Sequence, residues 1–195
     1  MIRVCVLGSI GSGKSFISKL FNCPIFNADR EVNYIYKNDI NCFKKLKKKL
    51  PKYIKSYPIK KKELINAIVS KKNNLKLISS VVHPIVRKRM KIFLDQKKSS
   101  KIVVLDVPLL IENKLNQKND FLLFVNAHRS KILARLKKRK YFDKEIHKTL
   151  NQNQATMLRK REIANYIIDN NFSPNIMKNK INKLKKRILD ERNCT

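Results

Sequence analysis

The residues with the clearest chemical meaning include the only three glycines of the chain, Gly8, Gly11 and Gly13. With Lys14 and Ser15 they complete the spacing G-x-x-x-x-G-K-[ST]. In such a loop the glycines let successive backbone N–H groups converge on phosphate oxygens, and the helix that follows adds the positive end of its dipole. We therefore expect a phosphate-binding loop made of Gly8, Gly11, Ser12, Gly13, Lys14, Ser15 and Phe16.

The side chains of Lys14 and Ser15 indicate the ligand. A lysine at this place reaches the β- and γ-phosphates of a nucleotide, and a serine hydroxyl is the kind of oxygen that Mg²⁺ prefers. Asp106 is a second candidate metal residue, because it lies near the carboxyl end of the apolar run 101–107, where nucleotide-binding folds often hold a carboxylate. The alternative is that Asp106 caps the turn after that run.

Two arginines are candidates for contacts with a transferring phosphate. Arg135 and Arg139 lie four residues apart in a basic stretch whose apolar positions, Ile132, Leu133 and Leu136, predict a helix with one inward face. Residues four apart share a helix face, so the two guanidinium groups would be placed to clamp phosphates from a lid. The alternative is ordinary surface charge.

These residues need elements that bring them together. Five short apolar runs, at residues 2–7, 24–27, 101–107, 121–125 and 166–168, predict buried strands that alternate with helices. Short right-handed crossovers then give a parallel sheet covered on both faces, with ligands at the carboxyl ends of its strands. The predicted fold is a three-layer α/β nucleotide-binding domain, residues 1–195, with a lysine-rich helical insertion at about 30–98 and a lid at about 136–160.

The composition limits the class of protein. The 46 lysines and arginines against 14 aspartates and glutamates give a net charge of +32, which taken alone favours a nucleic-acid partner. The excess is mostly lysine, and we find no helix-turn-helix, zinc or aromatic RNA-binding motif, so a solvated surface that attracts small polyanions is the alternative that we favour. The four cysteines form no C-x-x-C pair, and no apolar stretch approaches the roughly 18 residues of a membrane span. We expect a cytoplasmic protein with reduced thiols, a monomer or weak homo-oligomer, without a membrane or specific nucleic-acid partner.

Several motifs, in order along nearly the whole chain, resemble those of the dephospho-coenzyme A kinase family. The phosphate-binding loop resembles that family's G-G-I-G-S-G-K-S, Asn27-Ala28-Asp29 its D-A-D, and residues 83–87 its H-P-x-V-R. Residues 107–112 resemble its V-P-L-L-x-E, Arg135 and Arg139 its lid arginines, and residues 164–171 its A-D-x-V-I-x-N-x-G. The loop alone is common among kinases, whereas the pair formed by residues 83–87, which resemble H-P-x-V-R, and residues 108–112, which resemble P-L-L-x-E, is much more specific at this spacing. A shikimate or nucleoside kinase is the nearest alternative, and a GTPase is disfavoured because no N-K-x-D motif is present.

The resemblance implies a reaction and assigns residues to it. It implies ATP-dependent phosphorylation of the ribose 3′-hydroxyl of dephospho-CoA, with Mg²⁺ held by Ser15 and Asp106. Asp29 would be the base near the acceptor hydroxyl, where a carboxylate can orient the hydroxyl and accept its proton late, although Asp29 is also suited to cap a helix. The implied catalytic residues are Asp29, Lys14, Arg135 and Arg139, and the implied substrate-binding residues are Asp29, His83, Arg87, Pro108, Leu109, Leu110, Glu112 and Asn113.

The chain departs from the family's pattern at positions that carry expectations of their own. Asn27 replaces the first aspartate of D-A-D and leaves Asp29 as the only carboxylate there. Phe172 stands where the family has glycine, so we expect the turn beside the adenine to be built differently, because a bulky residue tolerates positive φ poorly. On residue chemistry alone, His83-Pro84 predicts an interruption of a helix; the resemblance favours a place for His83 in the substrate pocket.

Overall fold

A computed structural model of the chain describes residues 1–108, 110–137 and 157–193. The described residues form two compact units, of which the first contains Met1–Asn27 and the described residues from Lys97 onward. The second contains Ala28–Gln96. Leu109, Arg139 and most of the expected lid lie outside the described residues, so the assignments to them stay predictions. In the part of the chain that the structure describes, no helix has the length and apolar character needed to cross a membrane.

The first unit is built on a five-stranded sheet in which every pair of neighbouring strands is parallel. The strand order is β2-β3-β1-β4-β5, so β1 lies at the centre and the chain passes to either side of it. This confirms the predicted α/β fold with its five-stranded parallel sheet, whose strands are β1 Ile2–Leu7, β2 Ile25–Asn27, β3 Ile102–Asp106, β4 Phe121–Asn126 and β5 Tyr166–Asp169.

Helices of the first unit cover the sheet. Helix α1 spans Lys14–Leu20, α6 spans Arg129–Lys137, α7 spans Met157–Glu162 and α8 spans Pro174–Asn193. Alternate residues of β1 pack into one apolar core with the inner faces of α1 and α8. The members of this core include Ile2, Val4, Val6, Ile17, Phe21, Met177, Ile181, Leu184 and Ile188. Every residue of β1 is buried, which explains why the sequence there, apart from Arg3, is a run of apolar residues and not an alternating pattern.

One charged residue lies inside this central strand. Arg3 is 9% exposed, and its Nε lies 2.9 Å from Asp120 Oδ1 while its terminal nitrogen donates to Asp120 Oδ2 at 3.1 Å. The Cys5 thiol donates to the same Oδ2 at 3.3 Å. Burial, with the Asp120 charge adding to it, holds the pKa of Cys5 far above its usual range, so Cys5 stays a protonated thiol.

The second unit is helical and is organised around its longest helix. It contains α2 Ala28–Asn38, α3 Ile40–Lys49, α4 Lys61–Ser70 and α5 Lys72–Gln96, and the other three helices pack against α5. Asp39 caps α3 by accepting from the backbone N–H of Cys42 at 2.8 Å. Arg89 of α5 forms an ion pair with Glu31 of α2, and its guanidinium carbon lies 4.5 Å from the ring centroid of Tyr34. Whether these helices are a substrate-binding insertion stays a prediction.

The expected interruption at His83-Pro84 is wrong, because Pro84 lies inside the continuous helix α5. Proline removes one backbone donor and costs a helix about 3 kcal/mol. On either side of it, Val81, Val82, Val86 and Met90 are buried to between 3% and 8% exposure. Each such side chain contributes roughly 1.5–3 kcal/mol on burial, so their packing outweighs the cost of the proline.

Candidate active site

The phosphate-binding loop joins β1 to α1, as the sequence predicts. Gly13 precedes α1 with φ 95° and Gly11 has φ 88°, in the left-handed region that glycine adopts without strain. Lys14 is folded over the loop, with its Nζ donating to the carbonyl oxygens of Gly8 at 3.1 Å and Ser9 at 2.9 Å. The Phe16 side chain packs against the core under the loop. The lysine ammonium is therefore already positioned over the loop.

The turn after β5 contacts the loop through Asn170, which is 3% exposed. Its Nδ2 donates to the Ser12 carbonyl at 2.8 Å, and its Oδ1 accepts from the N–H of Phe172 at 2.9 Å. A Cβ on Gly13 would lie 2.3 Å from Asn170 Nδ2, so only glycine fits at that point of the loop. The Ser12 carbonyl and the Gly13 N–H belong to one planar peptide and point in opposite directions. Asn170 thus fixes the direction of a loop N–H, a role that the sequence analysis missed.

Phe172 keeps a positive φ of 66°, so the expectation of a differently built turn is wrong. The left-handed conformation costs a non-glycine residue about 1–2 kcal/mol. Two contacts offset this cost: the hydrogen bond from the Phe172 N–H to Asn170, and the Arg135 guanidinium, whose carbon lies 4.3 Å from the Phe172 ring centroid. A cation over an aromatic ring contributes roughly 0.5–1 kcal/mol at an exposed site.

Helix α6 brings Arg135 to the rim of the loop. A Cβ on Gly11 would lie 3.0 Å from Ile132 Cγ2 and 3.1 Å from Leu136 Cγ, so α6 packs directly on the loop. Arg135 is exposed and contacts Phe172, next to Gly13. The inward face predicted for this helix is present at Leu136, which is 1% exposed, and at the half-buried Ile132, but the prediction is wrong for Leu133, which is 43% exposed. The phosphate-clamping role of Arg135 stays a prediction.

Ser15, Asp106 and Asn27 form a cluster at the carboxyl ends of the strands. The Ser15 hydroxyl donates to Asp106 Oδ2 at 2.5 Å, and Asn27 Nδ2 donates to the same oxygen at 2.6 Å. Asn27 Nδ2 also lies 3.5 Å from Ser15 Oγ. The two residues predicted to hold a metal ion are thus in contact, and a third residue, which the sequence analysis treated only as a departure from a motif, joins them.

The donor set of this cluster fits Mg²⁺. A hydroxyl and a carboxylate oxygen are hard ligands, and Mg²⁺ is usually bound by one or two protein oxygens together with phosphates and water. Within residues 1–108, 110–137 and 157–193, no three His, Cys, Asp or Glu side chains come close enough to hold a metal ion together. The cluster of Ser15 and Asp106 therefore suits a cation that takes most of its oxygen ligands from the nucleotide and from water.

The segment after β3 contains four described residues of the predicted substrate set, Pro108, Leu110, Glu112 and Asn113. Leu110 is 1% exposed and packs in the core of the unit. Glu112 Oε1 lies 2.8 Å from the Nζ of Lys160, whose side chain is 1% exposed. A buried lysine is costly unless it is paired, so this contact holds the segment to α7 at Glu112. No sequence pattern indicated that Lys160 is buried.

The remaining predicted residues belong to the second unit. Asp29 lies in the first turn of α2, where a carboxylate is favoured by the helix dipole. His83 and Arg87 lie four residues apart on α5. Burial lowers the pKa of His83, and the positive charge of Arg87 lowers it further, so His83 is neutral at neutral pH. A neutral imidazole can donate or accept a hydrogen bond but does not attract an anion by charge.

Comparison with known proteins identifies the family. The family model for dephospho-CoA kinase, CoaE, matches residues 2–175. The chain belongs to the dephospho-CoA kinase family. A dephospho-CoA kinase of Wolbachia sp. subsp. Brugia malayi (strain TRS) is 34% identical over 171 residues, which are 85% of this chain and 87% of the relative. That of Wolbachia pipientis wMel is 31% identical over 175 residues, 87% of this chain and 89% of the relative.

Solved structures support the fold of the dephospho-CoA kinase family. A crystal structure of a Thermus thermophilus protein matches with a TM-score of 0.76 at 24% identity and covers 97% of both chains. A dephospho-CoA kinase from Campylobacter jejuni matches with a TM-score of 0.65 at 21% identity, covering 97% of this chain and 98% of its own. At these identities the likeness concerns the fold alone.

Proposed function

We propose that this protein transfers the terminal phosphoryl group of ATP to the ribose 3′-hydroxyl of dephospho-CoA and so forms coenzyme A and ADP. The observation that carries the proposal is the match of the dephospho-CoA kinase model to residues 2–175. The structure supports a phosphate-handling site in the same chain: a glycine loop, Lys14 over that loop, and Ser15 in contact with Asp106.

The phosphate end of the reaction rests on Lys14. Its ammonium donates to the Gly8 and Ser9 carbonyls, and on nucleotide binding it would exchange these acceptors for the β- and γ-phosphates. The exchange replaces neutral acceptors with negatively charged ones, so the ammonium gains the attraction of opposite charges in addition to its hydrogen bonds. Arg135 and Arg139 would add positive charge from α6 and the lid. Mg²⁺, held through Ser15 and Asp106, would neutralise charge on the terminal phosphates.

The acceptor end rests on Asp29 and on the substrate-binding residues. Asp29 would accept a hydrogen bond from the 3′-hydroxyl and take its proton late, since the loose transition state of phosphoryl transfer needs little early deprotonation. His83, neutral at neutral pH, would contact the acceptor through a hydrogen bond, and Arg87 would meet one of its phosphates. The segment from Pro108 to Asn113 would line the same substrate.

Two further expectations stay predictions alongside this function. They are the cytoplasmic location and the monomeric or weakly oligomeric state. Light scattering on the purified protein across a range of concentrations tests the second.

The test of the function is ADP release by purified protein with Mg²⁺ and ATP, with dephospho-CoA, shikimate or nucleosides as the acceptor and mass detection of the product. We expect ADP release that depends on dephospho-CoA and a product of coenzyme A mass. Lys14→Ala and Asp29→Asn should each lower turnover at least about a hundredfold with the fold intact, because each removes a group that acts on the reacting atoms. Lys19→Ala, an exposed lysine of α1, is the matched control and should turn over normally. Near-normal turnover in Lys14→Ala or Asp29→Asn would remove that residue from the mechanism.

A further inference from the structure

Position 27 faces Asp106 because of the register of the sheet. Asn27 and Asp106 are directly paired residues of the parallel strands β2 and β3, and each is the last residue of its strand. Paired residues of neighbouring strands project to the same side of a sheet. Whatever side chain stands at position 27 therefore meets the carboxylate of Asp106.

The amide of Asn27 determines how much negative charge the cluster carries. Asp106 is 2% exposed, and its Oδ2 accepts hydrogen bonds from both Asn27 and Ser15 at 2.6 and 2.5 Å. A second carboxylate at position 27 would lie against Asp106, and two carboxylates at such a distance are stable only when a proton or a cation is shared between them. With asparagine there, Asp106 is the cluster's one carboxylate, and both donors bond to its Oδ2 without a cation.

We propose that Asn27 is a positioning residue that makes metal uptake depend on the nucleotide. Because its amide is uncharged, it leaves the cluster a single carboxylate to attract a free divalent cation, and by donating to Asp106 it keeps that carboxylate beside Ser15 until phosphate oxygens complete the coordination. The affinity of oxygen sites for divalent cations rises with the number of charged ligands, so a single carboxylate leaves the site weak on its own. The inference rests on the proposed function for the identity of the nucleotide complex.

The test is Mn²⁺ binding, followed by electron paramagnetic resonance of the free ion. Without nucleotide, we expect weak binding by the unmodified protein and at least about tenfold tighter binding by Asn27→Asp, because two facing carboxylates then share the ion. The matched control is Asn126→Asp: Asn126 and Asp169 are also paired strand ends, and Asn126 Nδ2 donates to Asp169 Oδ1 at 2.7 Å, but that pair is exposed. The control should gain far less affinity than Asn27→Asp.

A swap variant, Asn27→Asp combined with Asp106→Asn, separates charge from position. It has one carboxylate, so its binding of Mn²⁺ without nucleotide should stay as weak as that of the unmodified protein. When ADP is added, the unmodified protein should bind Mn²⁺ more tightly than it does without nucleotide. If Asn27→Asp is unfolded without metal, Mn²⁺ should restore its thermal transition by relieving the repulsion.

Several results would overturn the inference. One is an Mn²⁺ affinity that is equal in the unmodified protein and in Asn27→Asp, and another is an equal gain of Mn²⁺ affinity in Asn126→Asp. The others are tight Mn²⁺ binding by the swap variant and an unfolded Asn27→Asp whose thermal transition Mn²⁺ does not restore. The titration contains no acceptor, so it is independent of the acceptor's identity. Failure of the proposed function would instead appear as absence of coenzyme A formation with the Mn²⁺ pattern intact.

Discussion

Asn170 and its neighbour Asn171 offer a controlled test of how the phosphate-binding loop is held. Each side-chain Oδ1 accepts from the backbone N–H two residues later, at 2.9 Å for Asn170 and 3.0 Å for Asn171. Only Asn170 is buried, and only its amide nitrogen is seen to donate to the loop, at the Ser12 carbonyl. Replacing each with aspartate keeps the acceptor and the shape, and in Asn170→Asp it also removes that donor.

The expected cost follows from these contacts. In Asn170→Asp the carbonyl of Ser12, a residue that is 0% exposed, loses its donor, which costs roughly 1–3 kcal/mol. The carboxylate oxygen that replaces Nδ2 also faces that carbonyl at 2.8 Å, so it must move away or take a proton, which adds about 1 kcal/mol or more. We expect the free energy of unfolding to fall by about 2–4 kcal/mol in Asn170→Asp and by less than about 0.5 kcal/mol in Asn171→Asp.

The assays are urea unfolding at neutral pH and ATP affinity measured by calorimetry. Because the Ser12 carbonyl and the Gly13 N–H share a peptide plane, release of the carbonyl also releases an N–H of the loop, and we expect ATP affinity to fall about tenfold, or about 1.4 kcal/mol. Equal unfolding free energies for the two variants would refute the proposed bridge. A destabilised Asn170→Asp with unchanged ATP affinity would show that the bridge holds the fold but does not direct the N–H.

Two further predictions concern stability. Asp120→Ala should lower the free energy of unfolding by about 3–5 kcal/mol in urea denaturation, because it leaves the buried Arg3 guanidinium without its carboxylate. Glu191→Ala, which breaks the exposed pair with Arg187, should have a much smaller effect. Equal losses of unfolding free energy in the two variants would contradict this account. Folding lowers the pKa of His83 below its unfolded value of about 6.5. The contribution of neutral His83 to the free energy of unfolding is therefore fully present above pH 6.5 and is lost as the pH falls from there through the folded-state pKa. In thermal unfolding from pH 7.5 to pH 5, His83→Gln should therefore lose less stability than the unmodified protein, and parallel curves would exclude His83 as a cause.

Local pattern was sufficient for the strands and for the phosphate-binding loop. The strands are apolar runs bounded by polar residues, and the loop has glycines where positive φ is required, so both can be predicted from neighbouring residues alone. The contact between Ser15 and Asp106 also follows once the order of the strands is known, since carboxyl ends of parallel strands meet at one edge.

The features that the sequence did not reveal depend on partners far along the chain. Arg3 and Asp120 are 117 residues apart, and Asn170 is 158 residues from Ser12. Burial of Lys160 depends on Glu112 in the same way. Propensity also failed at Phe172, where one hydrogen bond and one cation–π contact outweigh the preference against positive φ. Local preferences of 1–2 kcal/mol are of the same size as single tertiary contacts, so tertiary structure decides such positions.

The buried Arg3 restricts how the central strand β1 can align with its neighbour β4. Apart from Arg3, β1 is a run of apolar residues that could slide along its neighbour by two residues and still bury apolar side chains on both faces. Asp120 comes directly before β4, and β1 pairs with β4 starting at Val4 and Phe121, so Arg3 meets its carboxylate only in the native alignment. A shifted alignment would bury a guanidinium without a partner. A single ion pair at the edge opposite the phosphate-binding loop thereby selects one alignment of the sheet, and with it the placement of every strand end that carries the chemistry.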